Sequence, residues 1–161
     1  MREPTRSKVK TTRYRRILWP TDFSPLAKAA LPHAVTLASD AGAELVLFHV
    51  LPLPAAYAEI SGAMWIPLQR KIRAAAQGRL RGLERQVTGP NVRTHTVLTE
   101  GVPILQIVRA AKRLRCDLIV LATHGRTGLV HAIMGSVAEN VIRRAPCPVL
   151  AVRPPRFQQR R

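Results

Sequence analysis

Cysteine is close to absent from this chain of 161 residues, with Cys116 and Cys147 the two present. Their separation matches neither a zinc-ligand spacing nor a C-x-x-C redox pair. Both read as small apolar residues near strand starts, which suits a reducing compartment. Long apolar runs are missing too: no stretch approaches the roughly 18 uninterrupted residues of a membrane span. The basic, polar N-terminus is followed by no apolar segment of the signal-peptide kind. The expectation is a cytoplasmic protein with no membrane partner. Internal repeats and linker-like tracts are also lacking, and the length suits one domain with a single sizeable core.

Acidic residues are the next scarcity: 9 Asp and Glu stand against 26 Lys and Arg, a formal net charge of +17. An excess of that size invites a nucleic-acid reading, but its distribution weakens it. Residues 1–16 contribute Arg2, Arg6, Lys8, Lys10, Arg13, Arg15 and Arg16 against Glu3, and residues 153–161 add Arg153, Arg156, Arg160 and Arg161. Residues 1–14 read as a basic, aperiodic, disordered tail, 15–153 as the domain and 154–161 as a second basic tail. Such tails bind anionic polymers without sequence preference and with strong salt dependence. A nucleic-acid partner is therefore open but not favoured.

Arg16–Trp19 reads as a first strand that ends at Pro20. Ser24 is placed to cap a helix with Pro25 at its first position. Leu26, Ala30, Ala34 and Leu37 carry that helix to about Ser39, with Pro32 kinking it or shifting its start. Glu44–Leu51 is nearly all apolar, as a strand buried on both faces is. Pro52–Pro67 reads as a loop that offers Tyr57, Met64 and Trp65 as a lid, a partner surface or apolar cover. Leu68–Gln86 is a helix, Val92–Leu98 a half-exposed strand, and Gly101-Val102-Pro103 opens a helix to about Arg115. Asp117–Ala122 is an apolar strand, Ser136–Arg144 a helix and Pro148–Val152 the last strand. Strands alternating with helices predict an α/β domain, an open parallel five-stranded sheet with helices on both faces. Such sheets take ligands beyond the strand C-termini, where the strand order reverses. That rule singles out the segments after the first and fourth strands, Pro20–Phe23 and Ala122–Gly135.

The second of these segments reads ATHGRTGLVHAIMGS from Ala122 to Ser136. A phosphate needs backbone N–H donors that come close, which glycine permits, and it gains from a helix N-terminus aimed at it. Gly125 and Gly128 lie in the loop, and Gly135 and Ser136 open the next helix. The Ser136 hydroxyl can cap that helix or donate to a phosphate oxygen, and Arg126 can add charge-assisted bonds. The plain alternative is a surface turn with glycines for geometry alone. The loop is neither a Walker A sequence nor the G-x-G-x-x-G fingerprint. Of the other histidines, His49 reads as core, and His33, His95 and His131 share no metal spacing.

Taken in order, Ile17–Ser24 (ILWPTDFS), Leu47–Val50 (LFHV), Gly101-Val102-Pro103, Asp117–Gly128 and Gly135–Val152 resemble the nucleotide-binding subgroup of the universal stress proteins. The resemblance spans residues 16–153. It implies strand order 3-2-1-4-5, a homodimer through the Val149–Val152 edge strand, and ATP, ADP or AMP as ligand with Mg²⁺ carried on the phosphates near Asp22. The motif of that subgroup, G-x2-G-x9-G-[ST], is met by Gly125, nine residues and Gly135-Ser136, while Ala122 stands at its first glycine. A negative φ at Ala122 makes the extra methyl tolerable; a positive one weakens binding. The resemblance puts Pro20 and Thr21 along the adenine or ribose. Asp22 meets a nucleotide polar group or a water on Mg²⁺, and the Val50 backbone meets the adenine edge. Thr123, His124, Gly125, Arg126, Gly135, Ser136 and Val137 surround the phosphates beside Ala122. The plainer alternatives are a helix N-terminal carboxylate for Asp22, ordinary sheet pairing for Val50 and loop packing for His124.

The expected function is an adenine-nucleotide-binding regulatory protein of the stress response, not an enzyme. Nucleotide occupancy would shift a conformation read by a regulatory protein partner. Slow ATP hydrolysis is one alternative, with Asp22 and His124 the nearby groups able to move a proton and neither a carboxylate pair nor an H-x-G-H motif to support it. Polyanion binding through the basic tails is the other.

Overall fold

Ile17, Leu18 and Trp19 have no solvent exposure, which requires cover on both faces and a neighbour on both edges. The computed structural model, which describes residues 13–52, 62–89, 91–123 and 135–153 (backbone only at 62–64), supplies both. Strand β1 (Arg16–Pro20) pairs in parallel with β2 (Glu44–Leu51), from Arg16 opposite Glu44 to Pro20 opposite Phe48. On its other side β1 pairs with β4 (Leu118–Ala122), Ile17 opposite Leu118. β3 (Arg93–Glu100) lies beyond β2, and β5 (Val149–Val152) lies beyond β4. The sheet is parallel throughout in the order β3-β2-β1-β4-β5, as the resemblance implied.

Alternate side chains of each strand feed two separate cores. Ile17, Trp19, Leu45, Leu47, Leu118 and Val120 pack with α2 (Leu31–Ala41) and α3 (Gly62–Val87) on one face. Leu18, Val46, Phe48, Ile119 and Leu121 pack with α4 (Pro103–Arg113) and α5 (Ser136–Arg144) on the other. Both cysteines belong to this second cluster, Cys116 buried before β4 and Cys147 half-buried before β5. Among the described residues no helix is long and apolar enough to cross a membrane.

Two prolines move helix boundaries away from the expected ones. The single helix expected from Leu26 is two: α1 (Pro25–Lys28) stops, and α2 starts with Pro32 in its first turn. There the missing N–H is an orphan in any case, whereas in mid-helix the ring would collide with the Lys28 carbonyl. Pro67 lies inside α3, so residues 62–67 are helix and not the expected loop. An interior proline costs about 3 kcal/mol. The helix tolerates it because Ile72, Ala76, Leu80 and Leu83 hold it against the sheet. Trp65 rides half-buried on this helix. Tyr57 and the Met64 side chain lie outside the described residues.

β3 also runs further than its alternation suggested, to Glu100, whose carboxylate accepts from Gln69 (3.1 Å) and Arg73 (2.7 Å) of α3. At the N-terminal border Tyr14 packs on the core, and Arg13 donates to the Ala41 carbonyl at 3.3 Å. The remainder of both basic tails lies outside the described residues.

Burial pushes the Cys116 thiol up to about 12, and burial followed by the Asp117 carboxylate raises Cys147. The stability tied to these thiols is intact below the ordinary thiol value of 9.0, where folded and unfolded chains both hold their protons. It is lost as pH climbs from there toward about 12, because only the unfolded chain ionises in that window. Urea denaturation at about pH 8 and about pH 10.5 is expected to show a steeper loss of stability in the native chain than in a Cys116→Ala, Cys147→Ala variant. Parallel losses in the two proteins overturn this assignment.

Candidate functional site

β1 and β4 are neighbours in the sheet, yet the chain leaves them toward opposite faces. β1 leads into α1 and α2, and β4 leads toward α5. Such diverging exits open a crevice at the strand C-termini, the place where open parallel sheets take ligands. A cavity of about 270 Å³ occupies it. Its walls are Pro20–Asp22 after β1, Phe48–Val50 at the end of β2, Pro103 and Ile107 of α4, Leu121–Thr123 at the end of β4, and Gly135–Ala138 of α5.

The exit from β1 is shaped by short side-chain bonds to backbone. The Thr21 N–H donates to the Phe48 carbonyl (2.9 Å), the last rung between β1 and β2. The Thr21 hydroxyl accepts the Phe23 N–H (3.0 Å), and the Asp22 carboxylate accepts the Ser24 N–H (2.9 Å). The Ser24 hydroxyl accepts the Ala27 N–H (3.1 Å), which caps α1 as its position in the sequence predicted. Polar side chains thus satisfy the backbone while strand turns into helix. Asp22 thus serves the turn that precedes α1, whose first turn holds no acidic residue, and it stands on the cavity wall.

This turn puts Phe23 at φ 64°, a left-handed conformation that costs about 1–2 kcal/mol in a residue with a Cβ. Two contacts to its ring offset the strain. The His49 ring centroid lies 4.2 Å away, and the Arg79 guanidinium of α3 sits 4.2 Å over the ring. His49 also donates from Nδ1 to the Thr21 carbonyl at 2.7 Å, and since a carbonyl only accepts, that nitrogen carries the proton. His49 is buried, in keeping with its reading as a core residue. Its further part, holding the wall that carries Asp22, had no signal in the sequence, because the bond runs to a backbone atom 28 residues away.

Val50 sits where β2 outlasts β1. The Phe48 carbonyl points at β1, whereas the Leu51 carbonyl accepts from the Gly101 N–H (2.9 Å) on the β3 side. Alternation along a parallel strand therefore turns the Val50 N–H and C=O toward the β1 side, at a level where β1 has ended. A donor and an acceptor look into the crevice side by side.

Ala122 is the last residue of β4, opposite Val152, and its φ is not positive. Its methyl packs into the core under α2 and α3, on the far side of the sheet from α5. The condition for tolerating Ala at this position is met. Thr123 is buried; its N–H bonds the Val152 carbonyl (2.9 Å) and its carbonyl accepts the Gly135 N–H (2.7 Å). His124, Gly125 and Arg126 lie outside the described residues, as does Gly128.

Gly135, in extended geometry at φ −69° and ψ 146°, is the N-cap of α5. Ser136 stands one place inside the helix and does not cap it, contrary to one of its expected roles. The first-turn N–H groups of α5 have no acceptor within the helix, and the N-cap Gly135 has no side chain to serve them. They concentrate partial positive charge at a wall formed by Gly135, Ser136 and Val137. Glu139, the acid of this turn, is exposed and faces Arg143 at 3.8 Å. Among the described residues Asp22 is the one carboxylate on the cavity wall, and no group of three or more His, Cys, Asp or Glu is arranged to hold a metal. Pro103, Ile107 and Phe48, which make the apolar side of the cavity, were not named as site residues from the sequence, although Phe48 and Pro103 lie in segments that carry the resemblance.

The arrangement defines a class: an α/β protein with a ligand crevice at the switch point of a 3-2-1-4-5 parallel sheet. The model of the universal stress protein family matches residues 13–153. Universal stress protein MJ0531 of Methanocaldococcus jannaschii is 34% identical over 143 residues, which is 89% of this chain and 84% of that protein. The solved structure of MJ0577 from the same organism aligns with a TM-score of 0.79 at 29% identity, over 88% of this chain and 97% of the other. A universal stress protein in complex with cAMP shares the fold, with a TM-score of 0.56 at 23% identity over 88% and 98% of the two chains. The chain belongs to the universal stress protein family.

His49→Phe keeps an aromatic ring beside Phe23 and removes the Nδ1 donor. The Thr21 carbonyl then loses its partner in a buried place, and stability is expected to fall by about 1–3 kcal/mol in urea denaturation. A variant within about 0.5 kcal/mol of the native chain would remove His49 from its part in fixing this wall.

Proposed function

We propose that the chain is an adenine-nucleotide-binding regulatory protein that takes ATP, ADP or AMP in the crevice between β1 and β4 and answers with a change of conformation or partner affinity. The observation that carries this is the N-terminus of α5, whose N-cap is Gly135 and so brings no capping side chain of its own, across a mainly apolar slot from the Val50 backbone edge. Phosphates suit the helix end. A flat heteroaromatic base with donor and acceptor side by side suits the Val50 edge, with Ile107 and Leu121 against the ring. The family member solved with cAMP supports this class of ligand, since cAMP is itself an adenine nucleotide. Mg²⁺ would ride on the phosphates, with Asp22 the carboxylate that accepts from its water shell.

Binding without turnover is proposed. Hydrolysis needs a positioned base. On the cavity wall the Asp22 Oδ1 is engaged by the Ser24 N–H, and His49 Nδ1 is committed to Thr21. β5 is an open sheet edge with Leu150 exposed, and antiparallel pairing of Val149–Val152 with a second copy would cover it as a homodimer contact. A cytoplasmic setting is supported by two unpaired thiols.

Calorimetric titration with ATP and AMP tests the site. Val137→Asp puts a carboxylate in the first turn of α5, where the helix dipole favours it, so the fold is kept. The same charge repels a phosphate, and affinity is expected to fall about tenfold or more, roughly 1.4 kcal/mol. Ala122→Gly is expected to bind within about threefold of the native chain, because its methyl faces away. Absence of binding by any adenine nucleotide at about 1 mM, where even weak sites fill, overturns the proposal.

A further inference from the structure

α4 buries Ile107, Ala110 and Ala111 against the sheet and turns Gln106, Arg109, Lys112 and Arg113 outward. It covers β2, and β3 extends past it as an edge strand. Val97 packs into the α4 cluster, so Arg93, His95 and Thr99 share its face of β3. Between helix and edge strand lies a second cavity of about 550 Å³, floored by Phe48 and walled by Thr99, Gln106, Arg109, Lys112 and Arg113.

Three cations thus converge on one groove. None of them forms an ion pair among the described residues. The carboxylates at its margins are committed elsewhere. Glu44 is paired with Arg16 at 2.5 Å, and Glu100, on the other face, with Arg73. Asp117 accepts the backbone N–H groups of Arg15 and Arg16. α4 runs back toward the end of the sheet where the strands begin, so Lys112 and Arg113 reach that end together with Arg93. Exposed Arg115 follows just past the end of α4. The charge excess is therefore not confined to the tails; one face of the folded domain carries an organised part of it.

The walls also say what kind of anion fits. Among the residues that line the cavity the one aromatic ring is Phe48, which is 1% exposed and offers no surface for a base to stack on. Nor do the walls present the aromatic or aliphatic anchor pocket around which protein interfaces are built. Positive charge without stacking or anchoring matches a regularly spaced phosphate chain, met by its backbone. We propose that the groove between α4 and the β3 edge binds the phosphate backbone of nucleic acid without reading its sequence. The site is separate from the nucleotide crevice, which α4 meets at its opposite end through Pro103 and Ile107.

The test uses the full chain and fluorescence anisotropy with a labelled single strand and a duplex, each of about 20 nucleotides, in low and moderate salt. Arg109→Gln, Lys112→Gln, Arg113→Gln changes exposed residues and is checked for native circular dichroism. It is expected to weaken both complexes about tenfold or more. It is also expected to flatten the dependence of log K on log salt by about 2–3 units, at roughly 0.7–0.9 for each phosphate that is no longer neutralised. Lys71→Gln, Arg81→Gln, Arg85→Gln removes the same charge from exposed positions of α3 and is expected to stay within about threefold. Equal weakening by the two triple variants means that binding follows net charge, and the groove is overturned. Retention of polyglutamate with no retention of either oligonucleotide identifies an acidic protein segment as the occupant and overturns the nucleic-acid assignment.

Discussion

The bond from the Thr21 N–H to the Phe48 carbonyl closes the last rung of a strand that has no exposed residue in its middle. Everything at the ligand end of the molecule is arranged around where that rung falls. β2 continues past it, which exposes the Val50 backbone sideways. β1 turns toward one face, and its other neighbour, β4, leads to the opposite face. A crevice results from the order of the strands before any side chain is chosen to fill it. Residue choice then decides what the crevice holds: a bare helix terminus at one wall, apolar side chains at another, a carboxylate at a third.

The wall after β1 shows how a strained backbone is kept. Phe23 takes a left-handed conformation because Thr21, Asp22 and Ser24 each spend a side-chain acceptor on a nearby N–H. Its ring is then held by His49 and by Arg79. Arg79 belongs to α3, so the position of Asp22 depends on how α3 sits on the sheet. α3 is also the helix that carries Pro67 and the half-buried Trp65. α3 and the wall that carries Asp22 thus touch through one aromatic ring.

The sheet was legible because its strands are short, almost wholly apolar runs, separated by segments with helical spacing. Strand order came from the resemblance, since a lone sequence does not say which strands pair. Pro20, Thr21, Asp22, Val50, Ala122, Thr123, Gly135, Ser136 and Val137 do meet at one cavity. They could be named in advance because they lie directly at strand ends and at a helix start. His49 and Arg79 could not be, because their contacts run to a carbonyl and to a ring across long sequence separations. Pro67 misled because a proline's local preference was outweighed by the packing of the helix beyond it. Net charge, a sum over the chain, drew notice to the tails and hid the stripe on α4, whose regular spacing appears only once the helix is laid on the sheet.

Ala122 shows that a consensus written in letters and a site written in directions are different descriptions. The letter changes from Gly to Ala, but the Cα–Cβ vector at the end of β4 points into the core under α2 and α3. On the crevice side that residue offers main chain, which Gly and Ala share. A glycine can stand in a motif for three reasons: a backbone angle, a close approach, or the space behind it. Only the first two bear on binding. In this chain the Ala122 methyl lies on the core side, so the size of residue 122 is a matter for the neighbouring core. The residues it packs against set how large a side chain may stand there.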